Sequence, residues 1–196
     1  MSKSSAAPDW RAARRDAARD AIVDAAWDLV REEGLSGLSL RDLAKRAGIT
    51  TPTVYAYFDS KLAIYDAMFS RAAADFLDHM TAAYDDTDPR AVLLASVHRF
   101  VDFCTSDPAR HQLLFQRTIP DFEPSPASYE PAVRALENVR GQLAAVGVTD
   151  PGLVDLWTAL TVGLVDQQIS NDPGGDRWTR LVDVAVAMYL AHALPR

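Results

Sequence analysis

The sequence predicts an all-α protein, and three observations carry that prediction. No segment alternates apolar and polar residues cleanly over five or more positions, and neither Asn-Gly nor Asp-Gly hairpin turns occur. Apolar residues recur instead at the three-to-four spacing of an amphipathic helix. Finally, Asp88–Pro89, Asp107–Pro108 and Asp150–Pro151 each read as an N-cap followed by a proline in the first helical turn. These signals together place about nine helices, over residues 10–33, 40–47, 51–57, 60–84, 89–105, 108–115, 129–146, 151–171 and 176–194.

The first helix takes its apolar stripe from Ile22, Val23, Ala26, Trp27 and Val30, and Gly34 closes it. Ahead of that stripe, Lys3, Arg11, Arg14, Arg15 and Arg19 stand against Asp9, Asp16 and Asp20. That arm reads either as a solvated helix face or as a contact to phosphate or minor groove. Ser39-Leu40-Arg41-Asp42 is a capping box that opens the second helix, with Leu40, Leu43, Ala44 and Ala47 inward and Gly48 supplying a tight turn. In the third, Thr51–Pro52 reads as cap and first-turn proline. It has room for about two turns and many β-branched residues, so packing through Val54 and Phe58 must hold it. A fourth helix starts at Ser60 and runs to a hinge at Asp85–Asp88. Residues 117–128 hold three prolines and read as a surface loop or lid. The last two helices meet across Asn171–Gly175, a length that suits an antiparallel pair.

Composition narrows the function classes. With 196 residues, 48% of them hydrophobic, the chain can bury a sizeable core. Its single cysteine, Cys104, rules out an internal disulfide and a Cys-rich zinc site. The basic N-terminal stretch has no apolar core of the secretory kind, and the longest uncharged apolar run, Leu156 to Val165, has ten residues. A cytoplasmic protein without a membrane span is expected. Residues 1–61 carry ten Lys/Arg against nine Asp/Glu, whereas 62–196 carry ten against eighteen. That balance fits a small nucleic-acid-binding head on an acidic body. No Gly-rich phosphate loop, His-Glu-x-x-His or Gly-x-Ser-x-Gly is present, and His79, His98, His111 and His192 form no local metal motif. No enzyme, cofactor or metal is expected.

The second and third helices face outward with Arg41, Lys45, Thr50, Thr51, Thr53, Tyr55 and Tyr57, with Lys61 beyond. Hydroxyls and amines of this kind suit a phosphate backbone, and short Thr side chains can touch base edges and thymine methyls. A short helix packed from behind by Val54 and Phe58 then serves to enter a major groove. The plain alternative is a helical corner whose tyrosines pack on the body, or an interaction module with the helix-turn-helix shape and no DNA readout.

Residues 22–69, IVDAAWDLVREEGLSGLSLRDLAKRAGITTPTVYAYFDSKLAIYDAMF, resemble without a gap the DNA-binding domain of the tetracycline-repressor (TetR) family of bacterial regulators. Gly34, LSLRDLAKRAGI and the Thr-Val-Tyr-x-Tyr-Phe-x-Ser-Lys run all fall in register. The resemblance implies a three-helix DNA-binding head, a connecting fourth helix, and a helical body that binds a small molecule and dimerises. The implied division is 1–61 for arm and DNA-binding domain and 62–196 for the ligand-binding and dimerisation domain. By position, Ser39, Tyr55, Tyr57 and Lys61 would grip phosphates, while Arg41, Thr51, Pro52 and Thr53 approach base edges. The implied protein is a ligand-responsive regulator that binds a pseudo-palindromic operator in double-stranded DNA as a homodimer, with repression the family's commoner habit.

For the dimer surface the last two helices offer Leu153, Trp157, Leu160 and Leu164, then Leu181, Val182, Ala185 and Tyr189. The alternative is a simple internal hairpin. Candidates for a pocket that would take an unknown small-molecule effector are Phe76, Met80, His98, Phe103, Phe115, Phe122, Trp157 and Gln167, each of which could equally be plain core.

Overall fold

Local chemistry sets the helices out as expected in number and order, with informative differences at their ends. The computed structural model describes residues 10–194. Among them are nine α-helices and no strand: α1 Trp10–Glu33, α2 Leu40–Arg46, α3 Thr51–Tyr55, α4 Lys61–Thr81, α5 Pro89–Ser106, α6 Pro108–Phe115, α7 Pro126–Ala145, α8 Pro151–Asn171 and α9 Val182–Ala193. Short 3-10 turns occur at Leu35–Gly37 and Thr179–Leu181. Asp88, Asp107 and Asp150 cap α5, α6 and α8 by accepting the amides of Ala91, Arg110 and Leu153. No helix among the described residues is long and apolar enough to cross a membrane.

Four boundaries differ from the sequence expectation. The cap of α3 is Thr50, which accepts the Thr53 amide at 3.3 Å, so Thr51 is the first helical residue and Pro52 the second. Helix α4 stops at Thr81, and the carbonyls just beyond it are taken by Arg99, whose Nη1 donates to Ala82 O at 2.6 Å and whose Nη2 donates to Ala83 O at 3.2 Å. Helix α7 begins three residues early, because Ser125 caps it through the Ser128 amide and Pro126 opens it. The segment ahead of α9 is held out of helix by Gln168. Its side-chain oxygen accepts the amides of Trp178 at 2.8 Å and Thr179 at 3.2 Å.

The chain forms two compact units. One ends at Met68 and takes in Arg117–Pro124; the other holds Phe69–Gln116 and the residues from Ser125 onward. In the first unit, Ile22, Val23, Ala26, Leu29 and Val30 of α1 are buried with Leu43 and Ala44 of α2, Val54 and Phe58 around α3, and Ile64, Tyr65 and Met68 of α4. Arg46 of α2 donates to Glu32 of α1 through both terminal guanidinium nitrogens, and the Tyr65 hydroxyl donates to Leu35 O. Burial pushes that phenol up to about 12. Gly48, at φ +68°, makes the turn between α2 and α3, a conformation that glycine adopts without steric cost. Phe122, from the 117–124 segment, lies with its ring 5.9 Å from that of Tyr65.

The second unit packs the remainder of α4 with α5–α9. Its core includes an aromatic cluster in which Phe76 lies 6.1 Å from Phe100, 5.1 Å from Phe103 and 5.4 Å from Phe115. Trp157 meets Tyr189 edge-on at 4.8 Å, and the Tyr189 hydroxyl donates to Leu153 O at 2.8 Å.

Candidate nucleic-acid interface and effector cavity

A helix of five residues cannot hold itself in water, so α3 depends on what surrounds it. Val54 is 0% and Phe58 2% exposed, which anchors its inner side. At its C-terminal end, Arg19 Nη1 of α1 donates to Tyr57 O at 2.6 Å, with the guanidinium 4.3 Å above the Phe58 ring. Arg15 Nη2 reaches Ala56 O at 3.4 Å and lies 5.8 Å from the Tyr57 ring. Two cations thus meet the negative end of the α3 dipole. In the sequence these arginines read as a solvated helix face or a nucleic-acid contact, and not as a support for α3. Their signal was spacing, since Arg11, Arg15 and Arg19 continue the helical register of Ile22 and Ala26 and so share its inner side.

With its back fixed, α3 presents Pro52 and Tyr55 outward, Tyr55 at 52% exposed, and Thr51, Thr53 and Tyr57 half-buried. Thr53 Oγ1 lies 2.8 Å from Thr50 Oγ1, so part of its hydroxyl capacity is used in the cap. Arg41 is exposed at the second position of α2. Ser39 caps α2 through the Asp42 amide at 3.1 Å and also donates to the Asp42 carboxylate, which turns that acid back on its own helix. Lys61 opens α4, with Nζ 5.6 Å from the Tyr65 ring. Hydroxyls, a guanidinium and an ammonium around a protruding short helix provide donors for phosphate oxygens and for base edges. Lys3 and Asp9 lie outside the described residues.

The second unit contains a cavity of about 240 Å³. Phe76 and Met80 of α4, Val97 and Phe100 of α5, Leu114 and Phe115 of α6, and Trp157 and Val162 of α8 line it, and α7 contributes Tyr129, Ala132, Ala135, Leu136 and Val139. Its remaining polar wall is Ser96, Thr158 and Thr161. Each of those hydroxyls donates within its own helix, to Leu93 O, Val154 O and Trp157 O at 2.7, 3.1 and 3.0 Å. The lining carries no carboxylate, ammonium, guanidinium or imidazole.

Of the residues expected in a pocket, the structure brings together Phe76, Met80, Phe115 and Trp157. Phe103 is buried beside the cavity under the Arg110 guanidinium, 3.6 Å away. His98 faces solvent and meets Asp183 at 2.7 Å, Gln167 is exposed and accepts from Asn171, and Phe122 belongs to the first unit. The α7 wall has no sequence signal, because its five residues lie within the expected helix over 129–146 and periodicity does not say that their face lines a cavity. A buried polar cluster also escaped notice. His111, 1% exposed, meets Asp166 Oδ1 at 2.7 Å, and Gln116 donates to the same oxygen at 2.9 Å. Burial pushes the neighbouring Cys104 thiol up, as for an inert core cysteine. Among the described residues no group of three or more His, Cys, Asp or Glu could hold a metal ion.

On the expected dimer surface, Trp157, Val182 and Tyr189 are buried inside the unit, because α8 and α9 turn them toward α5 and each other. Leu153, Leu160, Leu164 and Ala185 are half-buried. The face left to solvent is Leu156 and Ala159 on α8, Leu181 in the 3-10 turn, and Val184 and Met188 on α9.

A helix-turn-helix with a supported, protruding second helix is the architecture of a DNA-binding regulator, and the relatives agree. The family model "Bacterial regulatory proteins, tetR family" matches residues 22–68. The uncharacterized HTH-type transcriptional regulator Rv1255c of Mycobacterium tuberculosis is 30% identical over 152 residues, 76% of this chain and 74% of that protein. The transcriptional activator FasR of Mycolicibacterium smegmatis is 31% identical over 103 residues, and the match spans about half of each chain, 52% of this one and 47% of FasR. The fold of Bacillus subtilis FadR, solved in complex with stearoyl-CoA, superposes with a TM-score of 0.71 at 16% identity, covering 88% of this chain and 97% of FadR. The chain belongs to the TetR family, whose members are transcriptional regulators and not enzymes.

Proposed function

We propose that this protein is a transcriptional repressor that binds a pseudo-palindromic operator as a homodimer and leaves it when a small molecule fills the second-unit cavity. The observation that carries this reading is the coexistence of a donor-rich α2–α3 face with a cavity of about 240 Å³ in one chain. One recognition helix of this size makes too few contacts for tight binding, so two copies reading two half-sites are required. The exposed stripe of Leu156, Leu181, Val184 and Met188 supports self-association through α8 and α9. Helix α4 is continuous from Lys61 to Thr81 and the boundary of the two units falls inside it, which makes it the element for ligand and DNA to bias together. An uncharged, mostly apolar effector fits the lining. The acyl chain of the stearoyl-CoA bound by FadR is of that chemistry, although its charged headgroup would have to lie outside this cavity.

Activation is the second reading, favoured by the name of FasR. The same head would serve both, since the sign of regulation depends on where the operator stands relative to the promoter.

The test is binding of the purified protein to DNA from upstream of its own gene, with excess non-specific competitor at several salt concentrations. A footprinted palindrome lost on adding an apolar effector supports the reading; binding without preference over competitor would overturn it. Division of labour within the face has its own expected result. Tyr55→Phe and Lys61→Ala should weaken binding to every sequence, and Lys61→Ala should lower the salt slope by about one per head. Arg41→Ala and Thr53→Ala should instead relax preference at one or two base pairs, by about 1–3 kcal/mol. Titrations against single-base-pair operator variants separate the two groups, and four variants behaving alike would contradict the assignment.

A further inference from the structure

We propose that the first three turns of α1 form a second DNA-contacting surface, in which Arg11 and Arg14 meet backbone phosphates beyond the groove entered by α3. The proposal rests on the operator-binding reading and extends its footprint.

Helix α1 starts at Trp10, whereas the family match starts at residue 22. The intervening twelve residues, 10–21, add roughly 18 Å of helix. Along this extension the side of α1 that turns toward the head changes character. From Ile22 onward it carries Ile22, Val23, Ala26, Leu29 and Val30, all buried. Before Ile22, the same register carries Arg11, Arg15 and Arg19, with Arg14 on its flank. The acids of the extension, Asp16 and Asp20, lie on the other side, and Asp24 and Asp28 continue their spacing of four beyond it. Charge on the extension is therefore sorted by face. A helix that needed only solubility would mix the signs, and a surface meant for a polyanion would separate them.

The arginine side is also in the right place. Arg15 and Arg19 touch the carbonyls of Ala56 and Tyr57, so the stripe abuts the C-terminal end of α3 and is continuous with the proposed DNA face. Arg11 and Arg14 are exposed further toward the N-terminal end, with guanidiniums 5.4 and 5.8 Å from the ring of Trp10, itself 60% exposed. An indole with two guanidiniums beside it presents a flat apolar surface and two cations, which suits the sugar-phosphate edge of a groove.

The test uses the full chain with two duplexes, one recovered by random-sequence selection and one unrelated, titrated from 50 to 200 mM salt. The variants are the double substitutions Arg11→Ala/Arg14→Ala and Arg11→Lys/Arg14→Lys. Loss of two phosphate contacts lowers the log–log salt slope by roughly two per head, so the affinity lost across that salt range should shrink about tenfold per head on both duplexes. The lysine variant should restore the slope, because a point charge suffices for a phosphate. Helicity and melting profile, followed on the same samples, should stay unchanged for these exposed positions. Unchanged affinity and slope would make the extension a solvated face. Weaker binding with an unchanged slope, or without lysine rescue, would mean that these arginines position α3 and do not meet phosphates. Either result overturns the proposal while leaving operator binding in place, whereas a wild-type chain that selects no duplex would remove the operator reading itself.

Discussion

Phe58→Ala is expected to destabilise the first unit by roughly 3–5 kcal/mol, the largest single-residue effect foreseen on stability. The ring is 2% exposed and closes the core where α3 hands over to α4. Removing it leaves a cavity and also takes away the surface on which the Arg19 guanidinium rests, 4.3 Å from the ring centroid. The backbone donors of α3 gain little alone, since five residues form barely more than one turn. Loss of Phe58 should therefore release α3 before the rest of the unit opens. Amide exchange at Val54, Tyr55 and Ala56 should quicken by two or more orders of magnitude, with a smaller change at Leu29 and Val30. Phe58→Leu, which removes less volume, should retain more of the stability than Phe58→Ala. An unaltered melting profile and unaltered exchange in Phe58→Ala would place the support of α3 elsewhere.

That dependence explains which parts of the molecule were legible in sequence and which were not. Caps were legible because their determinants are local. Ser39 with Asp42, and each Asp–Pro pair, sit within three residues of the amides they satisfy. Ser125–Pro126 carries the same signal but stood among Pro120, Pro124 and Pro131, so proline density concealed a helix start. What stayed hidden depends on pairs far apart in sequence. Arg19 meets Tyr57 across 38 positions, and His111 meets Asp166 across 55. Gln168 takes the place of a helical carbonyl for Trp178 and Thr179, which no periodicity reports. The pattern of α8 and α9, apolar almost all round, does not say which side each residue faces. Trp157 and Tyr189 went inward, and Leu156 and Met188 went outward. For the head, spacing was enough to place Arg41 on α2, Thr53 on α3 and Lys61 at the start of α4. For the cavity it was not, because a wall is assembled from five helices.

Filling the cavity should have the largest effect on regulation. Ala132→Phe in α7 and Val162→Phe in α8 each place a ring at the cavity lining, from two different helices. Adjacent side chains lose dispersion contacts across such a void, and burying a ring there recovers them. At about 24 cal/mol per Å³, removing on the order of 100 Å³ of void stabilises the unit by about 2 kcal/mol, provided the ring enters without strain. The same substitution takes the volume an effector needs. Both variants should therefore melt higher than wild type, bind the operator as tightly, and fail to release it at effector concentrations that empty the wild-type complex. Thermal unfolding with and without effector checks the first half, since a ligand specific to the folded wild type raises its melting temperature and should leave the variants unmoved. Operator titrations check the second half. Variants that still release DNA normally would show that the effector acts from another site. Variants that melt lower and lose operator binding would show an overpacked core, and Val162→Leu, with a smaller increment of volume, then separates strain from occupancy.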